Sequence, residues 1–197
     1  MLESEMDSGR AATDDVGAIH PRTRELIAVL DTTRAELRRV VAAVPPTRMM
    51  VRPAAGRWSV GEILEHLAIV EGRIAGMLAA QLAGAREKGL GRERETSPVA
   101  PMLDMERIVD RTRPRVAGDA SQPRGGIDAA ASLAALDASR GSLRTAVIQS
   151  SGLALADVTM PHPALGPLNL YQWVLFVGGH EARHTAQIRE IIDGGAP

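Results

Sequence analysis

Toward the C-terminal end of this 197-residue chain, the run GGHEARHTAQIREI places His180 and His184 four residues apart. On a helix that spacing puts two imidazoles on one face, a turn apart, where both can reach one metal ion. The face is expected to be buried, because Trp173, Val177, His180, His184, Ile188 and Ile191 follow a single core period. One histidine alone on such a face is most simply a hydrogen-bonded core residue; two in register favour shared ligation. A third, His66, lies on another apolar stripe between Ile63 and Val70. Three neutral imidazoles with an open coordination position are a catalytic rather than a closed zinc set, and bundles build such sites from inward side chains on facing helices. If the two helices run antiparallel, His66 and His184 both lie roughly 10 to 14 Å from a common end, so they can meet.

Imidazole ligands suit zinc, nickel, iron and copper alike, so the expected cofactor is a divalent transition metal whose identity the ligand set leaves open. The chain has no cysteine, which excludes a thiolate nucleophile, disulfides and any Cys-ligated metal. HEARH also fits the H-E-x-x-H pattern, in which the glutamate is the general base of a zinc peptidase. Such enzymes take a third ligand downstream, whereas the residues after His184 offer no histidine and only Glu190 and Asp193 as acidic candidates. Glu181 keeps two readings: a base or partner of a ligand, and a solvated helix-face carboxylate near Arg183. Arg140 interrupts an apolar stripe and is expected to snorkel from its edge, with anchoring of an anionic substrate group as the alternative. His20 is assigned to a leading tail, and His162, between two prolines, is expected to be exposed in a loop. Gly178-Gly179 cost a helix about 1–2 kcal/mol, which close helix packing or room for substrate would explain.

The elements that must hold these residues read as helices. Residues 1–20 are acidic and lack apolar period, and are expected to form a disordered tail ahead of a single domain over 21–197. From Arg22 to Val44, the stripe Leu26, Leu30, Leu37, Val40 or Val41, and Val44 marks a first helix that Pro45-Pro46 stops. Ser59 can cap a second, with Glu62 completing a capping box and Trp58 and Ile63 forming a staple. Its stripe through Val60, Ile63, Leu67, Val70, Ile74 and Met77 fades near Gly89 after roughly seven to eight turns. Residues 89–126, rich in glycine and proline with one periodic piece from Met102 to Val109, are long enough to cross a bundle. A third helix is expected from about Ile127 to Ser150. A fourth runs from an Asn169 cap, with Gln172 answering and Leu168 and Trp173 as staple, to about Asp193. No fixed repeat or long strand-like alternation competes, and four helices with one long crossover between the second and third predict an all-α four-helix bundle.

Composition narrows the partners. Only Trp58, Tyr171, Trp173 and Phe176 are aromatic, and 23 Lys+Arg against 24 Asp+Glu give a net charge of -1. Nucleic acid, which needs stacking platforms and excess positive charge, is disfavoured, and so is an anionic membrane surface. The N-terminus has no basic and apolar signal pattern, and no run of about 18 apolar residues appears; a soluble cytoplasmic protein acting on a small molecule is expected.

The stretch Arg57 to Leu67, RWSVGEILEHL, resembles the first signature of the DinB-like superfamily, and His162 to Ile191, HPALGPLNLYQWVLFVGGHEARHTAQIREI, resembles its loop and last helix. Together with the crossover spacing, the resemblance spans residues 22 to 193. It implies an up-down-down-up bundle, often a homodimer, with a three-histidine divalent metal site at His66, His180 and His184. Characterised relatives include low-molecular-weight thiol transferases and isomerases. The expectation that follows is a metal-dependent enzyme transferring a low-molecular-weight thiol to a small electrophile. The alternatives are a metal-dependent hydrolase with Glu181 as base, and a non-catalytic binding or stress-response protein in which the metal only ties two helices.

Overall fold

Two reciprocal side-chain exchanges start the helices that carry the histidines. Ser59 Oγ accepts from the Glu62 N–H at 3.2 Å while the Glu62 carboxylate accepts from the Ser59 N–H at 2.8 Å. Asn169 and Gln172 repeat the exchange at 3.0 and 2.9 Å. Each pair satisfies donors that a helix start otherwise leaves open. These elements belong to a computed structural model of the protein that describes residues 19–112 and 115–194.

In chain order they are α1 (Pro21–Ala42), α2 (Val60–Glu87), the short α3 (Met105–Val109), α4 (Ala129–Gln149), β1 (Thr159–His162), β2 (Gly166–Asn169) and α5 (Leu170–Ile192). The four long helices match the expected ones within two residues at nearly every end. The short periodic piece in the crossover becomes α3, and the Pro- and Gly-rich stretch before Asn169 folds into an antiparallel hairpin with His162 opposite Gly166. Of the expected tail, residues 1–18 lie outside the described residues. His20 is no part of a tail: its Nδ1 accepts from the Arg22 N–H at 3.3 Å, capping α1, and its own N–H donates to Ser151 Oγ at 2.8 Å.

Contacts between helices fix the direction of each. Thr33 and Arg34 of α1 bond Glu181 of α5, and further along Glu36 pairs with Arg189, so α1 and α5 are parallel. On the other side of α1, Arg34 reaches Asp137 while Asp31 reaches Arg144, so α4 runs against it. His66 of α2 meets His180 of α5, while Leu78 and Leu82 lie with Leu170 and Val174, so α2 and α5 are antiparallel. The topology is up-down-down-up, and the crossover is what allows α2 and α4 to lie parallel. Among the described residues α2 alone is long and apolar enough to span a membrane, but here it packs on α4 and α5.

The apolar interior divides into two clusters. One gathers Leu26, Leu30, Leu143, Leu170 and Val174; the other gathers Leu37, Ile63, Leu64, Leu136 and Ile188. Trp58 packs against the second, the cluster that holds Ile63, and Leu168 and Trp173 both lie in the first. The diglycine of α5 is explained by close packing on two sides: a Cβ at Gly178 would sit 2.8 Å from Val29 of α1, and one at Gly179 would sit 3.0 Å from Ile108 of α3. Gly76, on α2, has nothing within 4 Å of its would-be Cβ. The two positions therefore answer an added methyl with opposite signs. Gly76→Ala is expected to stabilise by roughly 0.5–1 kcal/mol through helix propensity. Gly178→Ala is expected to destabilise, because about 1–3 kcal/mol of overpacking exceeds that gain; urea unfolding of the two variants checks the sign.

Candidate metal centre

Three helix-borne imidazoles converge midway along the bundle. Nε2 of His180 lies 3.3 Å from Nε2 of His66 and 3.2 Å from Nε2 of His184, and all three ligand atoms lie within 4.8 Å of one another. Neighbouring ligands held tetrahedrally at zinc–imidazole bond lengths are about 3.3–3.4 Å apart, so the two spacings about His180 and the chemistry of this donor set fit a divalent ion.

Two hydrogen bonds outside the cluster select the ring tautomers. Ser121 O, which can only accept, lies 2.6 Å from His66 Nδ1, so that nitrogen carries the proton and Nε2 keeps its lone pair. Gln187 Oε1, three residues along α5, does the same for His184 Nδ1 at 2.8 Å. Trp58 closes one side with its ring 4.8 Å from His66, and Phe176 stacks on His180 at 5.5 Å. Burial, opposed by the Ser121 bond, lowers the His66 pKa. Burial and then the charges of His184 and His66 hold His180 well below its ordinary value, and burial followed by His66 takes His184 down to about 3. All three rings are thus neutral, the form that ligates.

The histidines form part of the wall of a cavity of about 970 Å³, whose apolar surface includes Val70, Ile74, Met77, Trp173 and Phe176. Three of the four aromatic residues of the chain are on it. The sequence profile of the DinB superfamily matches residues 29–188. The chain belongs to the DinB superfamily. An uncharacterised protein of Bacillus subtilis (strain 168), YuaE, is 28% identical over 166 residues, covering 84% of this chain and 96% of that one. The crystal structure of TT2238, a four-helix bundle protein, aligns with a TM-score of 0.56 at 22% identity over 85% of this chain and 98% of that one, which supports the bundle fold.

Within this DinB bundle, other chemistry-bearing residues lie where the sequence reading did not put them. Glu181 is only 1% exposed and faces away from the histidines: Arg34 Nε donates to it at 2.7 Å, Arg140 Nη2 at 2.8 Å and Thr33 Oγ1 at 2.8 Å. It is neither a solvated carboxylate nor a base for the cavity, because its oxygens are occupied and it is not on the cavity wall. Arg140 does not snorkel and is not on the cavity wall; it is buried and donates to Glu71 at 2.6 Å, to Glu181 and to Leu30 O. His162 is half-buried rather than exposed in a loop, since the hairpin folds its ring to 4.4 Å from Phe176 and 5.0 Å from Trp173, on the cavity wall.

Arg34 and Glu71 went unread, although α1 carries a signal: between Leu30 and Leu37 the place where an apolar residue is due holds Arg34, just as Arg140 sits between Leu136 and Leu143. Gln187, one turn beyond His184, was legible by the same spacing. Ser121, in the crossover, follows no period.

Removing the Glu181 charge leaves Arg34 and Arg140 short of a buried partner, so Glu181→Gln is expected to cost about 3–5 kcal/mol in denaturant unfolding while zinc stoichiometry by elemental analysis stays unchanged. The buried imidazoles also set a pH response. Their folded pKa values are below the unfolded value of about 6.5, so as pH falls through that range the unfolded chain takes up protons that the folded chain does not. Metal-free protein is expected to lose melting temperature from about pH 6.5 downward, with a shallower slope in His184→Ala; calorimetry across that range measures it.

Proposed function

We propose that this DinB superfamily protein is a metal-dependent enzyme that joins a low-molecular-weight thiol to a small electrophilic substrate at the His66, His180 and His184 site. The observation that carries this reading is that the three imidazoles form part of a cavity wall instead of being sealed in the core. A volume of about 970 Å³ is at the upper end of small-molecule sites and suits two reactants. A metal that merely tied α2 to α5 would need no such space.

When bound, a divalent ion supplies a Lewis acid that lowers the pKa of a thiol. The chain has no cysteine, so the sulfur comes from a cosubstrate. In the reaction the S–H proton passes to solvent and sulfur forms a bond to the electrophilic carbon; the displaced electron pair departs with the leaving group of an alkylating substrate, or moves into the π system of a conjugated one, which then takes a proton from solvent. The protein's part is to hold neutral imidazoles in fixed tautomers through Ser121 and Gln187 and to wall the reactants with Trp58, Trp173 and Phe176. With Glu181 committed to Arg34 and Arg140, hydrolysis with that residue as base has no support.

Elemental analysis of untagged protein, with His66→Ala alongside, is expected to give about one equivalent of a divalent transition metal in the parent and little in the variant. A panel of thiols against alkylating and conjugated electrophiles is then expected to show turnover that chelation abolishes and His66→Ala lacks. A fully loaded protein with no thiol-dependent turnover across the panel overturns the transferase reading.

A further inference from the structure

The wall of the cavity is strongly one-sided in charge. Arg57, Arg73, Arg111, Arg115 and Arg183 all line it, and among the described residues no aspartate or glutamate does. They come from four places in the chain: the loop before α2, α2 itself, the segment after α3, and α5. Arg73 lies two turns from His66 on the same helix, and Arg183 immediately precedes His184.

Nearby carboxylates balance only part of this charge. Glu190 holds Arg111 through two bonds of 2.6 and 2.7 Å and lies 4.0 Å from Arg57. Arg183 is buried and donates to Ile108 O and Asp110 O. Arg73 donates to Ala120 O at 2.9 Å and Arg115 to Arg107 O at 3.2 Å, acceptors that orient a guanidinium without neutralising it. Among the described residues, setting both Glu190 and Asp110 against the five arginines that line the cavity leaves an excess of three positive charges, in a chain whose net charge is -1.

The apolar part of the wall lies beside these charges, since Trp173 and Phe176 both line the cavity.

We infer that the molecule bound beside the three histidines is an organic anion, with its carboxylate or phosphate among the cavity arginines and its apolar body against Trp173 and Phe176. Guanidinium groups match both oxyanions in geometry, and the low-dielectric walls strengthen the attraction. This rests on the reading of the cavity as the reaction site and names the class of substrate it takes.

Both tryptophans of the chain, Trp58 and Trp173, are on the cavity, so indole emission reports occupancy directly. The probes are 3-phenylpropionate, phenyl phosphate and the neutral 3-phenylpropionamide, titrated into zinc-loaded and chelator-stripped protein. The expected result is that one or both anions bind roughly tenfold or more tighter than the amide, one or two charge-assisted hydrogen bonds' worth. Whichever anion binds better identifies the headgroup. Arg73→Gln and Arg115→Gln, at exposed rim positions, are each expected to weaken anion binding severalfold and leave amide binding and zinc content unchanged. Equal affinity for anions and amide in the parent protein overturns the inference without any variant, as does anion binding indifferent to both substitutions. Anion preference in a protein that takes up no metal defeats the metal-dependent reading alone, and metal uptake without anion preference defeats this one alone.

Discussion

Each of the four long helices commits one charged side chain to a single buried network: Arg34 from α1, Glu71 from α2, Arg140 from α4 and Glu181 from α5. All four are buried, and they lie between the two apolar clusters, with Leu30, Ile74, Leu143 and Val177 on one side and Leu37, Leu67, Leu136 and Ile188 on the other. Two cations and two anions cancel, which makes the burial tolerable; burial raises the Glu71 pKa, with Arg140 and Arg34 opposing. Such a layer contributes little net stability compared with apolar packing, but removing any one member strands its partners. Its consequence is directional. Successive residues on a helix are turned by about 100°, so fixing Glu181 toward α1 and α4 leaves the preceding His180 facing α2, where His66 meets it.

The crossover completes what the helices begin. It is fastened along its length: Glu93 accepts from Arg22 and from the Tyr171 hydroxyl, Glu25 takes the N–H groups of Val99 and Ala100, and Glu65 takes those of Arg124 and Gly125. Burial works against the Glu93 charge, but bonds from the Glu95 N–H, Tyr171 and Arg22 outweigh it and hold the carboxyl below its usual range. A segment tied down this way can present Ser121 O to His66 and place Arg111 and Arg115 at the cavity. A long connection with little regular structure beyond α3 thereby supplies both the orientation of a ligand and much of the wall around it.

The helices, their caps and the three histidines were legible because each obeys a local rule. Apolar residues recur every three or four positions, Ser59 and Asn169 stand three residues ahead of Glu62 and Gln172, and His180 and His184 share a face by spacing alone. Glu181 and Arg140 were misread because periodicity names the face on which a residue lies, not the neighbour it meets there; a charge on a buried face is explained only by the opposite charge that another helix brings. His162 was misread for a related reason. The prolines around it suggested an open loop, whereas a short hairpin turns the ring back onto Trp173 and Phe176.

The sequence by itself determined the helices of the bundle, the starts of its site-bearing helices and the pairing of His180 with His184 on one face, because these depend on interactions within one or two turns of chain. Only the tertiary structure decided which charges neutralise one another in the core, which carbonyl orients His66, and that five arginines from four separate segments surround one cavity. Those properties depend on distances between residues far apart in the chain, set by how parallel and antiparallel helices pack and by where the crossover is anchored, and no local pattern encodes them.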